Sequence, residues 1–259
     1  MNVGKKLNLF SFTMIVIGLV IGMGIFRTAT DSAKESLDPA VFFGAWIVGG
    51  LIALCGALTY AEIGSRYPVT GGYYKIFSVA YHPSIAFSIN SIILISNAAS
   101  LSAVALIGAG YISKVFLGSG TTDLIKATIA VVAIIIFYGI NLMGLKMSSR
   151  TQNILMIIKV SMLLLLVAAL FFPDLYVQTP GGSQPVSRTW KDYILSFGVA
   201  LIGVSFTYGG YQQTINFGSE VDSAPKNIPK GIFIGIGIII LLYLTVNYSY
   251  YKIVGFDVL

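Results

Sequence analysis

The sequence predicts an all-α integral membrane protein, and three observations carry that prediction. Only 10% of the 259 residues are charged while 56% are apolar, against about a quarter charged in an ordinary soluble domain, so most of the surface faces something other than water. The apolar residues gather into seven runs, each near or above the ~20 residues that a spanning helix needs. Two of these runs, the first and the sixth, carry glycines at mid-depth. The net charge of +6 is spread as short punctuation between the runs. That pattern suits lipid headgroups rather than nucleic acid, which calls for basic residues clustered on one polar face.

The first run, 9–30, is uncharged from Asn8 to Phe26 and follows Lys5 and Lys6. It is too long for a signal-peptide core and lacks an A-x-A site, so it reads as an uncleaved span. The second, 40–62, opens at Asp38-Pro39-Ala40, with Pro39 suited to a first helical turn, and "RYPVTGGYY" at 66–74 stops it. The third, 83–113, is long enough to tilt or to project beyond the lipid. The fourth is 125–145 and the fifth 151–172. "PDLYVQTPGGSQPVSRTW" at 173–190 is rich in turn residues and belongs outside the lipid. The sixth run is 192–218 and the seventh 231–252, the latter after "SAPKNIPKG" with Pro229 near its first turn.

With a cytoplasmic N-terminus, Lys5, Lys6, Arg66, Lys75, Lys146, Arg150, Lys226 and Lys230 lie inside. Arg27, Lys34, Lys114, Lys126, Arg188, Lys191 and Lys252 lie outside. The positive-inside rule therefore decides the orientation by a single residue.

The stretch "GLVIGMGIF", Gly18 to Phe26, poses a question, because each glycine weakens a helix by about 1 kcal/mol relative to alanine. Packing is one answer: Gly18 and Gly22 make a GxxxG pair, which lets two helices approach closely, but this leaves Gly24 unexplained. A broken helix is the other. Non-helical backbone at membrane depth frees N–H and C=O groups for ions and small zwitterions, and Gly22 and Gly24 flanking Met23 lower its cost. The sixth run repeats the pattern in "FTYGGYQQ", 206–213, where Thr207, Gln212 and Gln213 stand ready to pair with freed backbone groups. Four uninterrupted runs separate the two. That is the spacing of two five-helix repeats, and since five is odd the second repeat enters the membrane from the opposite side. Residues 1–172 then form the first repeat, 173–191 an extracellular loop, and 192–259 the first two helices of a second, incomplete repeat. Interrupted helices at matching places in two halves point to a transporter site.

"VIGLVIGMGIFRT" (16–28), "ALTYAEIGSRYPVTGGYY" (57–74), "FTYGGYQ" (206–212) and "EVDSAPKNIPKGI" (220–232) resemble the amino acid–polyamine–organocation permeases, closest to the L-type amino acid transporter branch and its bacterial relatives. The resemblance implies the LeuT-like fold of two inverted five-helix repeats, usually with twelve helices in all. It also implies that a substrate carboxylate meets the N–H groups of Gly22, Met23 and Gly24. The substrate ammonium would then meet carbonyls near Val20 and those of Phe206, Thr207 and Gly209, with Phe206 as an aromatic lid and gate. The chain departs from the family pattern at Met23, where a small residue is usual, at Tyr211, where the family has Trp, and at Ala224-Pro225, where the proline falls one residue late.

Lys159 lies about 13 Å into the fifth run at 1.5 Å per residue. A charge at that depth costs about 2.5–3.5 kcal/mol on insertion scales. It either snorkels to the interface or faces the first and sixth spans as a buried amine, where burial disfavours the charged form. The resemblance favours the second reading, because family members carry a lysine here in the region that sodium occupies in sodium-dependent relatives of the fold. It implies sodium-independent amino acid transport by proton symport or by exchange. Glu62 and Arg66, four apart, are either a plain helix pair or an inner-gate contact with the loop after the sixth span. Asn97 is expected to bond a neighbouring helix or to line the path. Cys55 is expected to pack between helices, and His82 to sit at the interface.

One Cys and one His build neither a disulfide nor a zinc site, so no metal and no cofactor are expected. The loop after the third span, "KVFLGSGTTD", lacks the cysteine through which heteromeric relatives bond a partner, so no disulfide-linked partner is expected. No nucleophile–base–orienter set appears, which argues against an enzyme. A seven-helix receptor or a subunit of a larger membrane assembly is the alternative. A photoreceptor would need its lysine within the last span, and Lys252 stands at its very end. Only two helices of the second repeat are in the sequence, so the chain reads as a fragment, located in the cell membrane in its complete form and not expected to transport alone.

Overall fold

The computed structural model describes residues 6–69, 71–118, 120–172 and 188–256. The expected loop 173–191 therefore falls almost wholly outside the described residues, as does Lys5. The described residues form nine α-helices: α1 (Leu9–Val20), α2 (Gly24–Glu35), α3 (Pro39–Arg66), α4 (Gly72–Ala80), α5 (Pro83–Phe116), α6 (Asp123–Leu142), α7 (Leu145–Ala168), α8 (Trp190–Thr207) and α9 (Ala224–Ile253). Two 3₁₀ segments accompany them, Ala169–Phe171 and Tyr211–Phe217. Six spans are long and apolar enough to cross a membrane, or seven when α1 and α2, bent by 46° across a short break, count as one.

Helix ends follow local chemistry. The Asn8 carboxamide accepts the Ser11 N–H at 2.8 Å and starts α1, and the Asp38 carboxylate accepts the Val41 N–H at 2.9 Å to start α3 with Pro39 in its first turn. These are the side-chain acceptors that orphan N–H groups at a helix start require. Thr189 and Asp192 close a capping box on α8. The His82 ring accepts the Ser84 N–H at 3.3 Å and starts α5 at an exposed position.

Four boundaries differ from the sequence reading. The first run is two helices, with the second reaching Glu35. A short helix, α4, occupies 72–80, where the sequence showed only a stop. The fifth helix begins at Leu145, directly after left-handed Gly144. The last helix begins at Ala224, so Pro225 takes the first turn and Pro229 lies inside the helix. Left-handed Ser223 makes the sharp entry that permits the early start. Cys55 is exposed rather than packed between helices.

The chain forms two compact units. One comprises Met1–Ile76 and Lys159–Leu259, and the other Phe77–Ile158. In the second, α5 pairs with α6 and buries little beyond Ala86, Ala109, Ser113 and Ala130, and Asn97 is exposed on α5. The first holds the core, where α3 and α9 are 44% buried across their apolar windows against 6% for α5 and α6. Glycines set the close approaches. A Cβ on Gly49 would fall 2.6 Å from Val204 Cγ1, and one on Gly231 2.5 Å from Phe12 Cδ1. Trp46, Tyr208 and Tyr243 form a fully buried aromatic cluster with ring centroids 5.2–5.9 Å apart.

Candidate functional site: two facing helix breaks

Both glycine-bearing spans lose their regular winding where the sequence places the breaks. In the first, α1 ends at Val20, residues 21–23 are non-helical, and α2 begins at Gly24. The Ile21 N–H still bonds the Ile17 carbonyl at 2.9 Å, and the Phe26 and Arg27 N–H groups share the Met23 carbonyl at 3.1 and 3.3 Å. The N–H groups of Gly22, Met23, Gly24 and Ile25 find no acceptor among the described residues. They are the orphan donors of a helix start, at the end that carries about half a positive charge.

In the second, α8 ends at Thr207 and the chain turns through Gly210, whose φ of 116° is left-handed, into the 3₁₀ segment Tyr211–Phe217. The Phe206 carbonyl accepts the Gly209 N–H at 3.1 Å, and the Gln212 side chain accepts the Gly210 N–H at 2.8 Å. Gln212 thus pairs with a freed backbone group as expected. Gln213 instead accepts from Asn216, and the Thr207 hydroxyl donates to the Gly203 carbonyl within its own helix. The carbonyls of Thr207 and Gly209 receive no donor among the described residues.

The two breaks touch. A Cβ on Gly24 would sit 2.8 Å from the Thr207 hydroxyl, and one on Gly210 would sit 2.3 Å from the Leu19 carbonyl oxygen. Only glycine fits either place. The roles differ from the packing alternative drawn from sequence: Gly24 makes the close contact, while a Cβ on Gly22 would meet no atom nearer than Val20 O at 3.8 Å. Gly22 therefore borders open space.

Two side chains hold the carbonyl end of α1. The Lys159 ammonium, reaching from α7, donates to the Ile21 carbonyl at 3.2 Å. The lysine is half-buried and directed at the break. The Tyr243 hydroxyl, fully buried on α9, donates to the Val20 carbonyl at 3.1 Å. Behind them, Tyr208 packs at a tilt on Tyr243 and donates its own hydroxyl to the Trp46 carbonyl at 3.2 Å. Sequence reasoning missed Tyr243, since a tyrosine in an apolar run looks like packing, and its partner lies 223 residues away.

Other expected site residues are placed as follows. The Phe206 ring is 70% exposed. Glu62 and Arg66 bond each other at 2.7 Å with both side chains mostly exposed. Tyr60 meets Tyr73 and Tyr211 edge to face, and burial, with Tyr60 alongside, raises the Tyr73 hydroxyl above the usual phenol range. Tyr211 presses so closely on Gly56 that a Cβ there would lie 2.2 Å from its hydroxyl.

A family model described as amino acid permease matches residues 7–259. The chain belongs to the amino acid permease family. Its helical architecture and six to seven membrane-length spans are those of the family's fold as far as the chain extends. Relatives include the serine/threonine exchanger SteT of Bacillus subtilis, 27% identical over 95% of this chain and 54% of that protein. The human b(0,+)-type amino acid transporter 1 is 28% identical over 96% of this chain and 51% of that protein. The methylthioribose transporter of Bacillus subtilis is 27% identical over 95% of this chain and 54% of that protein. The chain thus spans about half the length of these relatives. It is a multi-pass membrane protein from a family of transporters, not enzymes.

Proposed function

We propose that the complete protein is a sodium-independent amino acid permease of the cell membrane, with a cytoplasmic N-terminus, working by proton symport or by exchange. Residues 1–172 form its first inverted repeat and 192–259 begin the second. One observation carries this reading. Donors at 22–25 and acceptors at 207 and 209 that have no partner among the described residues lie on two breaks in contact through Gly24 and Gly210, and an amino acid carries a carboxylate and an ammonium on one carbon. The carboxylate binds the N–H groups of Gly22, Met23 and Gly24 at the positive end of α2. The ammonium binds the Thr207 and Gly209 carbonyls. The Val20 and Phe206 carbonyls, already engaged once, offer their second lone pairs. The Phe206 ring covers the bound substrate.

Lys159 supplies the coupling. Its ammonium on the Ile21 carbonyl puts a positive charge beside the break, where a bound sodium ion would be repelled. Release of its proton removes the charge, weakens the bond to the carbonyl and loosens the break. Glu62 and Arg66 contribute to the inner gate.

The test is uptake by the complete protein in proteoliposomes against labelled neutral, acidic and basic amino acids and methylthioribose, with and without sodium and a proton gradient. Uptake of at least one amino acid, indifferent to sodium, is the expected result. Uptake of methylthioribose alone, which lacks the zwitterionic head, would overturn the site.

A further inference from the structure

Helix α2 carries charge where lipid would not tolerate it. The bent first span runs from Leu9 to Glu35, so its midpoint is residue 22, in the break. At 1.5 Å per residue, Arg27 and Asp31 stand about 8 and 14 Å along the axis from that midpoint, and tilt only brings them nearer the membrane centre. The hydrocarbon half-thickness is about 15 Å. Both charges therefore lie at membrane depth, where ionisable side chains face a bundle interior or a water-filled path rather than lipid.

The face they occupy is the open one. α2 buries Ile25, Thr28, Ala29, Ser32 and Ala33 and packs mainly on α8. At 3.6 residues per turn, Met23, Arg27 and Asp31 fall on the opposite side. The Arg27 and Asp31 side chains keep 46% and 57% of their exposure, and the face begins beside uncrowded Gly22. The Arg27 Nε donates to Asp31 Oδ2 at 3.2 Å. The terminal guanidinium nitrogens and the second carboxylate oxygen have no partner among the described residues. Lys34 and Glu35 follow at the end of α2, again one charge of each sign.

We propose that the Arg27–Asp31 pair lines the substrate's approach to the breaks and acts as a charge filter. It holds that approach electrically neutral and so confines the permease to amino acids with uncharged side chains. This inference rests on the permease reading and names its substrate class. A neutral amino acid sets its own carboxylate and ammonium on the two breaks and brings no further charge. A charged side chain must shed water beside a guanidinium and a carboxylate that already match each other, and it finds no counter-charge in return. Withholding a partner from the competitor is one of the two ways in which specificity is built. Lys159 is engaged with the Ile21 carbonyl on the α1 side of the break and leaves the matching on α2 as it is.

The test is competition in proteoliposomes of the complete protein. Glutamate against glutamine, and lysine against norleucine, compete with a labelled amino acid that the parent carries. Each pair is similar in size and differs in charge, so the ratio of inhibition constants reads charge. In the parent, the neutral member should compete roughly tenfold better, the scale of one unit charge acting across several ångströms of partly solvated protein. Asp31→Asn leaves the guanidinium unmatched and should move the first ratio about tenfold toward glutamate. Arg27→Gln leaves the carboxylate unmatched and should move the second about tenfold toward lysine. Arg27→Asp combined with Asp31→Arg restores the match and should return both ratios to those of the parent. Ratios that stay put in both single variants would overturn the filter and leave the permease reading standing. So would a parent that takes glutamate or lysine as readily as the neutral member, a readout that needs no variant to fold. A parent that transports no amino acid would overturn both.

Discussion

The two breaks solve the same problem in different ways. The first is a clean interruption, with three non-helical residues and then a fresh α-helix whose start shows four unpaired N–H groups. The second does not restart directly as an α-helix, because left-handed Gly210 turns the chain into a 3₁₀ segment, and the Thr207 and Gly209 carbonyls have no donor among the described residues. One break is therefore a bank of donors and the other a bank of acceptors, in contact through Gly24 and Gly210. A helix that restarts exposes its positive end, and a helix that stops exposes its negative end. Two different terminations, rather than two copies of one, give the two breaks opposite polarity.

The largest effect should come from forcing that contact apart. Gly210→Ala puts a side chain on a left-handed residue, a strain of about 1–3 kcal/mol, and drives its Cβ into the Leu19 backbone, which has no rotamer to yield. Uptake should vanish and the thermal midpoint of the purified protein should fall by several degrees. Glycine 22 against glycine 24 sharpens the comparison. Gly24→Ala collides with Thr207 and should lower both uptake and stability, whereas Gly22→Ala has room and should leave stability unchanged while raising KM. Equal stability losses at 22 and 24 would contradict the open space over Gly22.

Next comes Lys159→Ala. Losing a charged donor to a backbone carbonyl costs about 1.5–3 kcal/mol, and each 1.4 kcal/mol is about tenfold in an equilibrium. Uptake should fall roughly ten- to a hundredfold and lose its dependence on pH. A pH profile unchanged from the parent would remove Lys159 from coupling even if the rate fell. Tyr243→Phe is milder. It removes one buried hydrogen bond to the Val20 carbonyl, worth about 0.5–1.5 kcal/mol net. We expect a few-fold rise in KM with a smaller change in kcat, read from initial rates of uptake.

The breaks were legible in the sequence because glycine pairs in uncharged runs have few other uses. Lys159 was legible because charge in lipid is expensive. The partners were not. Tyr243, Tyr208 and Trp46 look like any aromatic in an apolar run, and only the fold brings residue 243 to residue 20. Helix ends escaped for a local reason. Pro225 and Pro229 both suit a first turn, and left-handed Ser223 decides between them, which no residue preference announces since serine rarely adopts that conformation. Helix α4 escaped because "GGYYKIFSVA" is too short to register as a span and begins with two glycines.

The smallest effect should come from Glu62 and Arg66, and it separates two readings that the sequence left level. An exposed i,i+4 ion pair contributes about 0.3–0.5 kcal/mol, and at 2.7 Å with both side chains largely in solvent this one has the geometry of such a pair. Glu62→Gln alone and Arg66→Gln alone should each change stability by less than about 0.5 kcal/mol. If the pair serves only its own helix, the double variant should transport as well as either single one. If the two residues also act at the inner gate, each single variant leaves an unmatched charge beside the loop after the sixth span. The double variant should then recover part of the lost uptake, and the recovery should appear in efflux from the inner face more than in influx. A double-mutant cycle on the two directions of transport reads that difference without reference to stability. A coupling free energy near zero in both directions would strip Glu62 and Arg66 of the gate and leave the two glycine breaks to carry the opening alone.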